Sequence, residues 1–253
     1  WLELEKQRGI SVSSSVLHFD FEGHRVNILD TPGHRDFSED TYRTLMAADS
    51  AVMLIDAARG VEAQTRKLCE VCLLRRIPIF TFVNKMDRHG RDPLDIMGEI
   101  EDVLGMDVVP ANWPVGAGSD FRGIYDRLAR RLVLFSGGRH GTHRVEEDVL
   151  EGEPGDAALQ QRMGTFGRDV LEGLELLEGA GAELDAERVA TGRQTPMFFG
   201  SALTNFGVHP FLERFLEMAP APVARESGGH PIEPASHPFS GFVFKIQANM
   251  DPD

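Results

Sequence analysis

Short, nearly unbroken apolar runs that stop on a polar cluster limit most severely how this chain can fold. One run, Ala51-Val52-Met53-Leu54-Ile55, stops at Asp56. A second starts at Pro78, continues as Ile79-Phe80-Thr81-Phe82-Val83 and stops at Asn84-Lys85-Met86-Asp87. A third, Pro196-Met197-Phe198-Phe199, delivers Gly200-Ser201-Ala202-Leu203. Strands covered by helices on both faces lose the apolar–polar alternation and read as continuous apolar runs. Helical patterns separate these runs. Residues 61–75 are amphipathic, with Val61, Leu68, Val71 and Cys72 inward. Asp92-Pro93 is a capping residue followed by proline at the first helical position, and Leu94, Met97, Ile100, Val103 and Leu104 form the stripe behind it. Residues 208–218 close the series with another helix. Strand and helix in alternation predict an α/β fold with a mostly parallel sheet.

The region before residue 51 adds a hairpin. Residues 12–21 alternate loosely, Gly23 supplies the turn, and Val26-Asn27-Ile28-Leu29 is a mostly apolar strand ending at Asp30. An antiparallel pair at the edge of an otherwise parallel sheet is the expected arrangement. A helix over residues 36–48 follows, capped by Asp36 with Glu39, or by Ser38.

Asp30-Thr31-Pro32-Gly33-His34 and Asn84-Lys85-Met86-Asp87 are where chemistry concentrates. An acid at the carboxyl end of an α/β strand points into the crevice where ligands bind. It can hold Mg²⁺ through water, since that ion keeps much of its hydration. Gly33 lets its N–H approach a phosphate oxygen, and His34 is placed to orient an attacking water. Asp-x-x-Gly by itself is common and more often marks only a tight turn after a strand. The second motif narrows the choice. Guanine offers two donors, N1–H and the 2-amino group, and the Asp87 carboxylate only accepts. Asn84 can reach N7 and neighbouring backbone, and the Lys85 stem can cover the base. On its own this tetrapeptide could open a surface helix. In the turn at Gly200 to Leu203, small residues let backbone N–H groups meet the guanine carbonyl oxygen.

The net charge of −14 argues against generic binding to DNA or RNA, which needs clustered Lys and Arg. Lysine occurs only at Lys6, Lys67, Lys85 and Lys245, none after a glycine, so the chain carries no Gly-Lys-Ser/Thr phosphate loop. No run has the length of a membrane span and no signal peptide heads the chain, which predicts a cytoplasmic protein. Cys69 and Cys72 lie within a helical pattern and suit a structural role as small apolar residues. His140 and His143 sit in a Gly-rich stretch without partners.

Beyond residue 107 the alternation weakens. Val108 and Val109 begin a strand that ends near Trp113-Pro114. Residues 116–193 read as an insertion: a ribbon of short strands or a helix over 121–135, a loop over 137–155, a helix over 156–179 with Leu171, Leu174 and Leu177 on one side, and a short helix near 183–190. Residues 220–238 have linker composition, and Gly241-Phe242-Val243-Phe244-Lys245-Ile246 opens a further strand.

The three motifs occur in the order and spacing of a translational GTPase domain, and Arg8-Gly9-Ile10-Ser11 resembles the first switch segment of that superfamily. Longer strings, Glu5 to Ser11, Asp36 to Leu45 and Gly241 to Pro252, resemble the release factor three family of bacteria. The resemblance implies a Ras-like sheet with flanking helices followed by a β-barrel, hence a GTP-binding domain over residues 1–219, a linker over 220–238 and the start of a β-rich domain over 239–253. It implies GTP and GDP as ligands with Mg²⁺ held by Ser11 and, through water, Asp30. Serine stands at position 11 where most members have threonine. Asp30, Thr31, Pro32, Gly33 and His34 would contact the nucleotide, with Gly33 at the γ-phosphate, His34 placing the water and Ile10 screening it. Asn84, Lys85, Met86, Asp87, Ser201, Ala202 and Leu203 would hold the base. The implied activity is GTP hydrolysis on the ribosome, helping class-I peptide chain release factors depart after termination. The family's first strand, phosphate loop and first helix would precede Trp1, so the expectation for this segment alone is an inactive, poorly folded fragment. Two rivals share the motifs: a ribosomal GTPase of the translocating elongation factor type, and a non-hydrolysing GTPase-like scaffold.

Overall fold

Glu22 and Gly23 sit at φ of 47° and 78°, and the two-residue turn they make aligns the strands on either side. Those strands, β1 (Ser15–Phe21) and β2 (His24–Asp30), pair antiparallel in continuous register from Ser15 opposite Asp30 to Phe21 opposite His24. They form a two-stranded sheet of their own, not the edge of a parallel sheet as expected. Apolar residues of both strands, Val16 and Leu17 of β1 and Ile28 of β2, are exposed. A tight hairpin satisfies its shared ladder locally, whatever its faces meet.

The computed structural model describes residues 15–31, 39–137, 145–237 and 239–244. Helix α1 (Glu39–Ala47) is nine residues long, and its expected caps Asp36 and Ser38 lie outside the described residues. Contacts divide the chain into two units, Val52–Ala219 and the two ends, Trp1–Ala51 with Pro220–Asp253.

The larger unit contains the predicted sheet. Strand β3 (Ala51–Asp56) is followed by α2 (Ala63–Arg75), β4 (Ile79–Asn84) and α3 (Pro93–Leu104). Strand β5 (Asp107–Pro110) comes next. With β10 (Gln194–Phe199) these strands make a sheet of order β3-β4-β10-β5, in which β10 runs parallel to β4 and β5. Burial of β4 and β10 on both faces matches their apolar runs. Strand β3 departs from that reading. Met53 and Ile55 are buried, but Val52 and Leu54 are 43% and 60% exposed, so only one face of this edge strand is covered among the described residues. In α2 the buried residues are Cys69 and Cys72, with Leu68 and Val71 only half-buried. Helix α3 starts as predicted: Asp92 Oδ1 accepts from Leu94 N at 2.8 Å, with Pro93 at the first position. Its inward face is Ile96, Ile100 and Leu104, four residues apart each time.

The insertion is a second sheet. The strand expected to run from Val108 to Pro114 is broken at Ala111. Past it, β6 (Asn112–Val115) turns antiparallel with β7 (Gly123–Asp126), β8 (Arg131–Gly137) and β9 (Val145–Glu151). The ribbon reading of residues 121–135 holds. The loop reading of 137–155 does not, since Val145–Glu151 pairs with β8 along its length. Its acidic side chains suit an exposed edge strand, a case that composition hides. Helix α4 (Ala157–Met163) and α5 (Gly167–Gly179) replace the single helix expected, divided at Gly164, whose φ of 62° no helix interior accepts. Helices α6 (Ala186–Ala190) and α7 (Val208–Met218) follow, the latter with the predicted bounds.

Phe80 and Phe82 of β4, Phe198 of β10 and Phe211 of α7 form the core between sheet and closing helix. Edge-to-face pairs at 5.0 and 5.2 Å link Phe211 to Phe198 and Phe82. The inserted sheet packs Trp113 edge-to-face on Phe199 at 5.7 Å and is fastened to α7 by polar groups as well. Asp126, 2% exposed, takes Arg131 Nε at 3.2 Å and Arg214 Nη2 of α7 at 3.0 Å on Oδ2. Its Oδ1 accepts from Leu128 N and Ala129 N, both at 3.1 Å. Asn112 Oδ1 accepts from Phe199 N at 2.8 Å, joining β6 to β10.

In the smaller unit, residues 220–238, expected as a plain linker, carry a hairpin of β11 (Arg225–Ser227) and β12 (His230–Ile232). Residues 241–244 adopt no regular structure, and the rest of the strand expected there lies outside the described residues. Among the described residues no helix is long and apolar enough to cross a membrane.

Candidate functional site

Strands β4 and β10 are parallel neighbours, so their carboxyl ends emerge side by side and their terminal motifs meet. Asn84 ends β4. Its side-chain oxygen accepts from Lys85 N at 2.7 Å and from Ala202 N at 2.9 Å, stitching one loop to the other. Met86 N donates to Gly200 O at 3.1 Å, and Gly200 N to Val83 O at 3.0 Å. A side chain at Gly200 would press on the Phe82 ring at 2.5 Å and on Phe206 O at 2.7 Å, so only glycine lets the loops approach this closely. Met86 itself is buried, and its carbonyl accepts from Gly118 N of the insertion at 2.9 Å.

Asp87 is set by Ser201. The Ser201 hydroxyl, fully buried, donates to Asp87 Oδ1 at 2.5 Å and accepts from Thr204 N at 3.3 Å. One hydrogen bond thus fixes the rotation of the carboxylate and leaves lone pairs on both oxygens for two adjacent donors. Arg88 Nε lies 3.9 Å from Asp87 Oδ2 on the exposed side. The expectation for Ser201 was a backbone role; here its N–H donates to Phe206 O at 2.8 Å and its hydroxyl to Asp87. The expectation that Asn84 reaches neighbouring backbone holds.

Lys85 adopts φ of 69°, and its ammonium donates to Asp56 Oδ2 at 2.7 Å. Sequence reasoning passed over Asp56. The signal was present: like the run before Asp30, the Ala51–Ile55 run ends on an acid. Burial works against the Asp56 carboxylate, yet it is outweighed by the Lys85 hydrogen bond, the Ala58 N–H, the Lys85 charge and the Arg59 N–H. Together they hold its carboxyl below the usual carboxylate range.

Asp30 and Thr31, at the end of β2 in the smaller unit, are both half-buried. Ser11, Pro32, Gly33 and His34 lie outside the described residues, as does Ile10. A cavity of about 730 Å³ is lined by Val145, Glu146, Glu147, Val208, His209 and Leu212, not by the motif residues. Its walls are β9 and α7, whereas the polar groups of the motifs converge at the paired strand tips. Cys69 and Cys72 are free and buried. Burial pushes their thiols up to about 12 and about 11, with Cys72 and Glu70 adding to the effect on Cys69.

An α/β unit whose strand tips present a fixed, acceptor-only carboxylate beside two interlocked loops is built as a nucleotide-binding domain. The chain belongs to the family described as Elongation factor Tu GTP binding domain, which matches residues 1–221. Peptide chain release factor 3 of Limosilactobacillus reuteri is 55% identical over 258 residues, covering 100% of this chain and 48% of that protein. Peptide chain release factor 3 of Symbiobacterium thermophilum is 57% identical over 253 residues, with the same two coverages of 100% and 48%. That of Gloeothece citriformis is 55% identical, covering 100% of this chain and 46% of its own. The chain therefore spans about half the length of the relatives it matches. A crystal structure of a protein from Thermus thermophilus aligns at a TM-score of 0.65 and 27% identity, over 86% of this chain and 33% of that one. The release factor three resemblance is borne out over the full chain.

Proposed function

We propose that this chain is the nucleotide-binding part of a cytoplasmic GTPase that acts on the ribosome at translation termination and helps class-I release factors leave. The observation that carries the reading is the hydrogen bond from Ser201 to Asp87 beside the Asn84 tie to Ala202, a carboxylate preset to accept from N1–H and the 2-amino group of guanine. Adenine lacks that donor pair and would leave the carboxylate unpaired, a penalty large enough for discrimination of roughly 10⁴-fold. Asn84, Lys85, Met86, Asp87, Ser201, Ala202 and Leu203 hold the base in this reading. Asp30 and Ser11 are the groups for Mg²⁺, and a carboxylate at a strand tip with a hydroxyl is a donor set that ion accepts. The ion would neutralise phosphate charge when bound. Thr31, Pro32 and Gly33 face the γ-phosphate, and His34 positions water, in a reaction that is mostly positioning and electrostatics. The names of the relatives support release factor three chemistry over the translocating type and over a scaffold.

The test is ribosome-stimulated turnover of GTP and of XTP, in the protein extended to its relatives' full length, with and without Asp87→Asn. Unaltered protein should use GTP, and the variant should shift toward XTP, because an asparagine amide can donate to the xanthine 2-oxo group. Turnover indifferent to ribosomes, or guanine preference untouched by the substitution, refutes the proposal.

A further inference from the structure

Asp56 and Asn84 end neighbouring strands, so the turn after β3 lies against the loop after β4. Backbone already joins them: Ala57 N donates to Asn84 O at 3.0 Å, and Arg91 N to Ala57 O at 2.9 Å. The two Asp56 oxygens then do different work. Oδ1 accepts from Ala58 N at 2.9 Å and Arg59 N at 3.3 Å, shaping its own turn. Oδ2 faces away from that turn to the Lys85 ammonium at 2.7 Å.

Lys85 is held at both ends. Its backbone is in the left-handed region, a conformation few non-glycine residues adopt, and its N–H is fixed by Asn84 Oδ1. The start of the side chain is therefore aimed by the loop and its tip is caught by Asp56. A free lysine side chain in solvent samples many rotamers, and a ligand that needs it in one must order it on binding. Here the ordering precedes the ligand. Lys85 is still 44% exposed while Asp56 is 17% exposed, so the pair is screened on one side and its effect is modest.

We propose that Asp56 is a positioning residue of the base site: by holding the Lys85 ammonium it makes the lysine stem a fixed wall against bound guanine and slows nucleotide release. This rests on the base-site reading given above. Asp56 touches no part of the nucleotide in this account, and it acts through Lys85 alone. Its Oδ1 role in the turn is separable, because an asparagine oxygen can still accept from Ala58 N and Arg59 N.

The experiment is dissociation of a fluorescent N-methylanthraniloyl-GDP from full-length protein carrying Asp56→Asn, Lys85→Met or both. Each single change should speed release about 3- to 10-fold, and the double variant should be no faster than Lys85→Met, since the two act as one pair. In Asp56→Asn, preference for guanine over hypoxanthine and xanthine diphosphates should stay as in the unaltered protein, and the unfolding temperature without nucleotide should fall only slightly, as for other partly exposed ion pairs. Additive effects, unchanged release from Asp56→Asn, or a lowered unfolding temperature with release unchanged would each overturn the role of Asp56. Guanine-selective binding by the unaltered protein is measured first. Its absence strikes the base-site reading, whereas additivity in a protein that binds guanine strikes only this inference.

Discussion

Both four-stranded sheets of the larger unit bury apolar side chains, but they meet α7 through different groups. The β3-β4-β10-β5 sheet is fastened to α7 by apolar side chains, with Phe80, Phe82, Phe198 and Phe211 at the centre. The β6-β7-β8-β9 sheet is fastened to the same helix by charge, through Asp126, Arg131, Glu213 and Arg214. Burial by area tolerates many sequences of similar volume, so an apolar seam is written redundantly along the chain. A buried carboxylate needs its own partners in place, so an ionic seam depends on a few residues far apart in sequence. The first kind of seam secures the strand tips that carry the candidate base site. The second fixes where the insertion sits on that scaffold.

Of the changes compared, the largest loss of stability is expected at the ionic seam. Asp126→Ala strands two half-buried guanidiniums and orphans the N–H groups of Leu128 and Ala129, for a cost of about 3 kcal/mol or more. Urea unfolding measures it, and a loss under about 1 kcal/mol would put the seam's stability in packing instead. A polar pair inside the apolar sheet should behave otherwise. The Thr81 and Thr195 hydroxyls bond each other at 2.8 Å and are fully buried. Thr81→Val alone should cost about 1 kcal/mol, and Thr81→Val with Thr195→Val close to nothing, because an apolar surround accepts the paired replacement. A double variant much worse than the single one would erase the distinction between the two sheets.

At neutral pH the smallest effect lies on the apolar side, and it appears only at alkaline pH. The Cys69 and Cys72 thiols stay neutral in the fold up to about 12 and about 11, against 9.0 for an ordinary thiol. A raised value in the folded state means the stabilisation is complete below pH 9.0 and is lost as pH climbs toward 11 and 12. Stability should decline across that window, and less steeply in Cys69→Ala with Cys72→Ala. Thiol reagents near pH 8 should label both cysteines only on unfolding, and rapid labelling of the folded protein would contradict their burial.

The legibility of the molecule follows the same division. Strands β4 and β10, the capped start of α3 and the full length of α7 could be read locally, because each is a run or period of apolar residues with a turn signal at its end. Strand β9 could not. Val145–Glu151 is mostly acidic, and what makes it a strand is the ladder offered by β8. Exposure of Val52 and Leu54 was equally hidden, since a continuous apolar run does not say whether both faces of its strand are covered. In the candidate site, the identities of Asn84, Asp87 and Ser201 stood out by motif. Asp56 did not, although its run ends like the one before Asp30.

Residue types and their spacing alone determined the alternation of strand and helix, the family resemblance and the acids and amides at the strand tips. These are properties of neighbours in the chain, set by side-chain period and hydrogen-bonding chemistry. Tertiary structure alone decided which oxygen of Asp87 receives the Ser201 hydroxyl, that Lys85 is caught by Asp56, and that Asp126 is shared between Arg131 and Arg214. Those contacts span 114, 29, 5 and 88 residues, and all but the short one arise only when strands and helices distant in sequence pack side by side. The free energy of such a bond depends on the distance, burial and orientation that packing supplies, and none of these is a property of the residues taken in order.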